Sequence, residues 1–224
     1  APIAMSSRFW TLAVPNIFAA VLVPLAGLVD MAMLGHLDTI DHLAGVALAS
    51  VLFDYLYWSF GFLRMVTTGL TGQSCGQEDW LGVERVLLRG IILALVCALF
   101  VLVCQGGVAD LGFWMLQGRE DIELSGRGYF DARIIGAPAV LVNYVIIGWL
   151  LGRERSKDAL ILSAIGNGMN IILDYWFIYH LHLASEGAGW ATAFSQYAML
   201  LVGIVMVVRL ERPAGWAKVV DGLW

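Results

Sequence analysis

Residues 86–104 read VLLRGIILALVCALFVLVC, an apolar run that a single charged residue, Arg89, interrupts. A helix of this length crosses the hydrocarbon core of a bilayer, which takes about 20 mostly apolar residues. The run does not alternate between apolar and polar residues, as a strand of a membrane barrel does. It therefore predicts a membrane-spanning α-helix, because a helix satisfies its backbone polar groups within the segment.

The same apolar character extends over the whole chain. Hydrophobic residues make up 60% of the 224 residues and charged residues only 14%, whereas a soluble domain carries about 25% charged residues. A soluble core of this size could not bury so much apolar surface. The runs long enough to cross a bilayer are Phe9–Leu34, Leu43–Gly69, Val86–Cys104, Tyr129–Leu151, Ala159–Tyr179 and Ala188–Val208. We therefore predict an all-α integral membrane bundle of six helices over residues 1–210, with a cytoplasmic linker over residues 211–224.

The basic residues predict how this bundle lies in the membrane. Lys and Arg concentrate in every second connection, and the loops 35–42 and 180–187 contain neither. The enriched set is Arg8, Arg64, Arg85, Arg89, Arg153, Arg155, Lys157, Arg209, Arg212 and Lys218. By the positive-inside rule these connections face the cytoplasm, so both termini are expected there, in the inner (plasma) membrane. The longest outer connection, residues 106–128, is expected to carry a short amphipathic helix on the membrane surface.

Asp30 and Asp174 are acidic residues inside predicted spans, where an ionisable group is costly and usually marks a site. Asp30 lies about 30 Å of helix beyond Trp10, and Asp174 about 24 Å beyond Asp158, so both fall in the outer half of the membrane. Pro24 lacks a backbone N–H, and the first helix should bend near it. The structural alternative for Asp30 is that it caps its span at the outer interface.

Polar residues accompany the two carboxylates at a similar depth. Ser163, Asn167, Asn170 and Asp174 recur at spacings of four, three and four, which places them on one face of a helix. The other candidates at this depth are Asn143, Thr192 and Gln196, and Asp54 lies deep in the second span. Asn170, Thr192 and Asn143 join the two carboxylates as candidate ion-site residues, with Asn167, Gln196 and Asp54 as a second tier. The alternative is that such residues only join neighbouring helices.

Buried carboxyl groups of this kind can exchange a cation. Burial disfavours the charged form, so Asp30 and Asp174 could take up a proton and release it when the site opens to water. With oxygens of Asn170 and Thr192 they could instead hold Na⁺. Either cation changes the local charge, to which a helix bent at Pro24 could respond. The chain has no H-E-x-x-H or G-x-S-x-G motif and its three cysteines lack metal-ligand spacing, so no enzyme, cofactor or resident metal is expected.

Several stretches of the sequence are similar to one family of transporters. They include PNIFAAVLVPLAGLVDMAMLGHL (15–37), FLRMVTTGLTGQSCG (62–76) and GNGMNIILDYWFI (166–178). Together with residues 146–161 and 186–197, they resemble the multidrug and toxic compound extrusion family, specifically its DinF-like branch. The resemblance runs through essentially the whole chain, in order, and corresponds to the N-terminal bundle of a protein built from two six-helix bundles.

The resemblance implies a function and partners for the chain. It implies antiport, in which H⁺ or Na⁺ enters while a small organic, often cationic, compound leaves. It places the cation site at Asp30, Asn170, Asp174 and Thr192, with Asn143 beside them, and it implies bending at Pro24. The partners are then the lipid bilayer and a second six-helix bundle, from the same gene or from a second copy, and nucleic acid is not expected. The alternatives are a lipid or lipid-precursor flippase of related topology and a non-transporting membrane scaffold.

Overall fold

The computed structural model describes residues 10, 13–14, 17–18, 21, 25, 27–36 and 40–210. Within these ranges the regular secondary structure is entirely helical. We label the helical stretch 27–34 α1. The helices that follow are α2 (Ile40–Ser59), α3 (Phe62–Gly76), α4 (Trp80–Leu116), α5 (Glu120–Ile134), α6 (Ala137–Gly152), α7 (Ser156–Tyr175), a π-helix (Trp176–His180) and α8 (Ala184–Leu210).

The described helices are long and apolar enough to cross a membrane. Four segments meet this test, namely Ile40–Gly76, Trp80–Leu116, Ser156–His180 and Ala184–Leu210, and α5 with α6 would add a fifth as one bent span. The predicted all-α membrane fold is thereby confirmed. The division into six spans stays a prediction, because Phe9–Leu34 is only partly described and residues 211–224 lie outside the described residues.

One face of α4 shows why a membrane suits this fold. Val96, Leu99, Phe100 and Val103 are each at least 60% exposed in the isolated chain. A contiguous apolar surface of this kind is unusual on a soluble monomer and marks contact with lipid or another protein. The exposed apolar side chains within residues 86–104 are therefore consistent with the membrane-spanning helix that their composition predicts.

The connection expected over residues 106–128 has a different structure. Helix α4 continues to Leu116, and α5 begins at Glu120 after a left-handed residue, Gln117 (φ 49°). Arg127 on α5 donates to Asp110 on α4 at 2.8 Å and to Glu123 at 3.0 Å. The prediction of a separate surface helix is wrong: residues 106–116 continue α4 and residues 120–128 begin α5, and the pair Arg127–Asp110 joins these two helices.

Helix α6 is the centre of the bundle. Twelve of its 16 residues are buried, and α3, α4, α7 and α8 all pack against it. Gly148 allows α3 to come close: a Cβ atom at this position would lie 2.6 Å from the carbonyl oxygen of Arg64. On the α4 side, buried Trp149 donates through Nε1 to the carbonyl oxygen of Val83 at 3.2 Å. Small residues at such seams are typical of helices packed in membranes.

Two irregularities in the helices shape the functional region. Helices α5 and α6 meet at 55°, where Gly136 is followed by Pro138 in the first turn of α6, a position that proline tolerates because its missing N–H has no helical partner. The π-helix Trp176–His180 directly follows α7. Its Tyr179 donates a 2.9 Å hydrogen bond to the carbonyl oxygen of Met33, which ties α1 to the end of α7.

Candidate functional site

The structure brings the two predicted carboxylates together. The carboxyl group of Asp30, on α1, is hydrogen-bonded to that of Asp174, on α7. Asp174 is fully buried, and its Oδ2 accepts a 2.9 Å hydrogen bond from Nδ2 of Asn170, one turn earlier on the same helix. We call Asp30, Asn170 and Asp174 the carboxylate cluster.

The carboxylate cluster has unused capacity for a cation. Oδ1 of Asp30 and Oδ1 of Asp174 are both buried, and neither has a hydrogen-bond partner among the residues that the structure describes. Two carboxylates in contact cannot both stay charged away from water unless a cation lies between them, because like charges repel strongly in a medium of low dielectric constant. A proton satisfies this requirement, and so does a small ion that prefers oxygen ligands, such as Na⁺.

The local fold explains how Asp30 reaches Asp174. The hydrogen bond from Tyr179 to Met33 holds α1 three residues beyond Asp30, and Tyr179 lies in the π-helix that begins two residues after Asp174. Single π-turns inside α-helices occur frequently at functional sites. The apolar pattern of the sequence does not reveal this turn, so the contact between the two helices could not be read from it.

A second polar region lies next to the carboxylate cluster. It is a cavity of about 360 Å³ between α2, α3, α5, α6, α7 and α8. The polar residues in its wall are Tyr57, Arg64, Arg133, Asn143, Tyr144, Ser163, Asn167, Thr192 and Gln196. Val140, Ile147 and Met199 supply apolar surface. We call it the arginine-lined cavity.

Most of the remaining candidates line this cavity and do not belong to the carboxylate cluster. Asn143 is 2% exposed, and its Nδ2 donates to both the backbone oxygen and Oε1 of Gln196, at 3.0 and 3.1 Å. Thr192 also lines the cavity, but its hydroxyl donates to the backbone oxygen of Ala188 in its own helix at 2.9 Å. Asn167 lines the cavity one turn before Asn170.

Two predicted residues are not placed in either region. Asp54 is exposed on α2 and is absent from the described cavity wall, although it acts electrostatically on Arg133. Pro24 lies outside the described residues. The bending of the first helix at Pro24 therefore stays a prediction.

Arg133 is the principal residue that the sequence reasoning missed. It lies on α5 and lines the cavity, with its guanidinium 4.4 Å from the ring centre of Phe53 and Nη1 2.6 Å from the hydroxyl of Tyr129. Arg133 also acts electrostatically on Asp30 and Asp174. A signal was available, because Arg133 falls inside the predicted span Tyr129–Leu151, where any ionisable residue is a candidate.

Fold and site together define a polytopic helical membrane protein with a buried acidic pair beside a polar cavity. Residues 15–176 match the MatE family, and this chain belongs to that family. The resemblance to the multidrug and toxic compound extrusion family is thereby confirmed.

Named relatives and a solved structure agree with this assignment. The chain is 38% identical over 206 residues to the DNA damage-inducible protein F of Escherichia coli (strain K12), covering 92% of this chain and 45% of that protein. It is 26% identical to the multidrug and toxin extrusion protein 1 of Oryctolagus cuniculus, covering 95% and 36%. An outward-facing multidrug resistance MATE family transporter matches with a TM-score of 0.82 and 25% identity, covering 89% and 44%.

The chain is much shorter than the proteins that it matches. The chain spans less than half the length of each of these three proteins, as the resemblance to one bundle of a two-bundle protein implies. Members of the family are transporters and not enzymes, which agrees with the prediction that no enzymatic activity resides here.

Proposed function

We propose that this chain forms the N-terminal half of a secondary antiporter, which exports a small organic compound in exchange for H⁺ or Na⁺. One observation carries the proposal: Asp30 and Asp174 are in contact, and each keeps a buried oxygen atom that no described residue hydrogen-bonds. A site that gains a cation loses its internal repulsion, and this change in free energy can bias a helix that has two conformations.

The roles of the residues follow from their positions. Asp30 and Asp174 take up the coupling ion, and Asn170 orients Asp174 through its 2.9 Å hydrogen bond. The arginine-lined cavity receives the organic compound, because a small-molecule site combines apolar walls with a few polar groups and this cavity has both. Pro24 lets the first predicted span bend when the ion binds. Thr192 and Asn143 line the cavity and remain candidates for ion coupling. Asn167 and Gln196 contact the compound, and Asp54 remains a second-tier residue.

The setting of the half-transporter is part of the proposal. We place it in the inner membrane with both termini in the cytoplasm, since Lys and Arg concentrate in the connections assigned to that side. A second six-helix bundle completes the transporter, supplied by the same gene or by a second copy of this chain. The lengths of the relatives support a second bundle of similar size.

Reconstituted full-length protein tests the proposal. Proton and sodium gradients are imposed separately on proteoliposomes that contain a xanthene dye, supplied either as the free carboxylic acid (rhodamine 110) or as its methyl ester (rhodamine 123). An inward gradient of the correct ion should speed export of a transported dye, by about 5- to 150-fold if the coupling has the usual size. Asp30→Asn and Asp174→Asn should remove this acceleration while the protein inserts normally.

The matched control is Asp121→Asn, whose side chain is 72% exposed and far along the chain from either carboxylate. It should respond to the gradient as the wild type does. Unchanged acceleration in both Asp30→Asn and Asp174→Asn would remove the mechanism. Lipid movement without any ion gradient would favour the flippase instead.

A further inference from the structure

The arginine-lined cavity has a charge opposite to that of the carboxylate cluster. Its described wall contains two arginines, Arg64 and Arg133, and no aspartate or glutamate. A transporter of simple organic cations is expected to present the reverse polarity, because a desolvated cation is repelled by fixed positive charge. The charge of the wall therefore says something about the compound that enters.

Hydrogen-bond donors without partners point in the same direction. Nε of Arg133, the hydroxyl of Tyr57 and Nδ2 of Asn167 are all buried, and none has a hydrogen-bond partner among the described residues. All three residues line the cavity, and Tyr57 is only 8% exposed. Oδ1 of Asn143 is the unpartnered acceptor in the same described wall. A buried donor without an acceptor costs free energy, so a ligand that supplies acceptor oxygens here is favoured.

Arg133 is held in place without being neutralised. The rings of Phe53, Tyr57 and Tyr129 surround its guanidinium at 4.4, 6.0 and 5.5 Å, and it donates to the Tyr129 hydroxyl. Such aromatic contacts fix a cation at modest gain but leave its charge in place. Asp30, Asp174 and Asp54 act on it electrostatically, yet within the described part of the chain no carboxylate forms an ion pair with it.

We propose that the arginine-lined cavity binds the exported compound through an anionic group (a carboxylate, sulfonate or phosphate) that lies against Arg133. The planar guanidinium suits such groups because it offers parallel N–H donors. Tyr57 and Asn167 supply further donors, and Val140, Ile147 and Met199 contact the apolar body of the ligand. This inference rests on the proposed function and names the class of its substrate.

The position of the anionic group is compatible with exchange against a cation. The group lies at Arg133, whereas the coupling ion lies at Asp30 and Asp174, so the two do not compete for the same atoms. The two regions influence each other through Arg133, which acts electrostatically on both carboxyl groups.

Binding of the two dyes to purified full-length protein tests the inference. Rhodamine 110 and rhodamine 123 share one ring system and differ in whether the carboxyl group is free or esterified, and fluorescence anisotropy reports their binding. The free acid should bind about tenfold more tightly or better, since a hydrogen bond to a charged group contributes that much. Arg133→Gln should abolish the preference, and Arg133→Lys should keep part of it.

The control is Arg127→Gln, on the same helix as Arg133 but paired with Asp110 and Glu123 outside the cavity wall. It should retain the preference of the wild type. Equal binding of acid and ester by the wild type, or an unchanged preference in Arg133→Gln, would overturn the inference.

A second variant decides the question if Arg133→Gln does not fold. Gln196→Glu is nearly isosteric and keeps the acceptor for Nδ2 of Asn143, but it adds a negative charge to the cavity wall. It should weaken binding of the acid and strengthen binding of the ester, and the absence of both shifts would contradict the inference. The binding measurement needs no ion gradient and is therefore independent of the transport measurement. If an ion gradient drives export of the ester but not of the acid, the inference is refuted and the proposed antiport still holds. Absence of gradient-driven export would refute the antiport itself.

Discussion

The carboxylate cluster and the arginine-lined cavity occupy the same face of α7 but differ in charge. Asn170 and Asp174 lie in the cluster, and Ser163 and Asn167 line the cavity one to two turns earlier. The difference comes from the neighbouring helices, since α1 brings Asp30 to the first group and α5 brings Arg133 to the second. One polar face of α7 thus contributes to two sites, and the helix that packs against each part of this face determines the charge of the site.

This arrangement lets the two regions influence each other without sharing a ligand. Arg133 lines the cavity and acts electrostatically on both carboxyl groups. Neutralising the carboxylate cluster therefore changes the potential felt at Arg133, because charges in a medium of low dielectric constant interact over many ångströms. Variants that disturb one region at a time sharpen this comparison.

The largest change in stability is expected from a substitution that separates α3 from α6, which both line the cavity, away from the carboxylate cluster. In Gly148→Val the new Cβ would lie 2.6 Å from the carbonyl oxygen of Arg64, a residue of the wall. Separating α3 from α6 should cost about 1–3 kcal/mol or more of stability, as overpacking does. The change is measured as the loss of monodisperse protein on heating in detergent.

Gly72→Ala is the matched control at the same seam. Its Cβ would lie 3.6 Å from the carbonyl oxygen of Gly152, an ordinary contact, and alanine is the better helix former. Its stability should equal or slightly exceed that of the wild type. Equal stability of Gly148→Val and Gly72→Ala would show that α3 and α6 are not closely packed in the membrane protein.

An effect of opposite sign is expected in the carboxylate cluster. Asp30→Asn or Asp174→Asn removes one of two buried carboxyl groups in contact, and should raise stability by about 1–2 kcal/mol in alkaline buffer without Na⁺, because the repulsion between them disappears. Lower pH or the coupling ion should reduce the difference in stability between these variants and the wild type. A proton or ion that binds the folded wild type at the two carboxylates stabilises it. Thermal unfolding followed by intrinsic fluorescence measures this, and a loss of stability in both variants would argue against repulsion within the pair.

The smallest effect compares two asparagines on the same face of α7. Asn170→Ala removes the 2.9 Å donor to Oδ2 of Asp174 and should cost about 1 kcal/mol, the usual net contribution of a hydrogen bond. Asn167→Ala removes an amide nitrogen that has no hydrogen-bond partner among the described residues, so its stability should change by less than about 0.5 kcal/mol. Chemical or thermal unfolding of the two proteins side by side gives the difference. A larger loss of stability in Asn167→Ala than in Asn170→Ala would contradict the proposed division, in which Asn170 belongs to the carboxylate cluster and Asn167 to the cavity.

Much of the site could be predicted from the sequence because helical geometry is regular. Depth along a span and a spacing of three or four residues identified Asp30, Asn170 and Asp174 before any contact was known. The same reasoning also selected Asn143, Asn167, Thr192 and Gln196, but it combined them with the carboxylates in one site. Periodicity describes a single helix and does not state which helix stands opposite, so the separation into two regions could not be predicted.

The missed features have physical causes of the same kind. Arg133 falls near the start of the predicted span Tyr129–Leu151, where it can be taken for a charge at the membrane surface. The structure instead sets it among the rings of Phe53, Tyr57 and Tyr129. The π-helix Trp176–His180 could not be predicted from the pattern of apolar residues, because that pattern does not report how a single turn is hydrogen-bonded. Residues 106–128 were predicted to form a connection with a short surface helix, since a polar interruption on one helix resembles a break until its partner on the next helix is known.

The amino-acid sequence by itself determined that this protein is a helical membrane protein of a transporter family, and it located the acidic residues. Long apolar runs form few stable structures in lipid, of which the helix is one. Because a buried charge is costly, each ionisable residue within such a run stands out as a candidate for function. Only the tertiary structure decided that Asp30 meets Asp174 and that Arg133 faces the cavity. Asp30 and Asp174 are far apart in the sequence, as are Arg133 and Phe53, and their contacts depend on close helix packing that local composition does not encode.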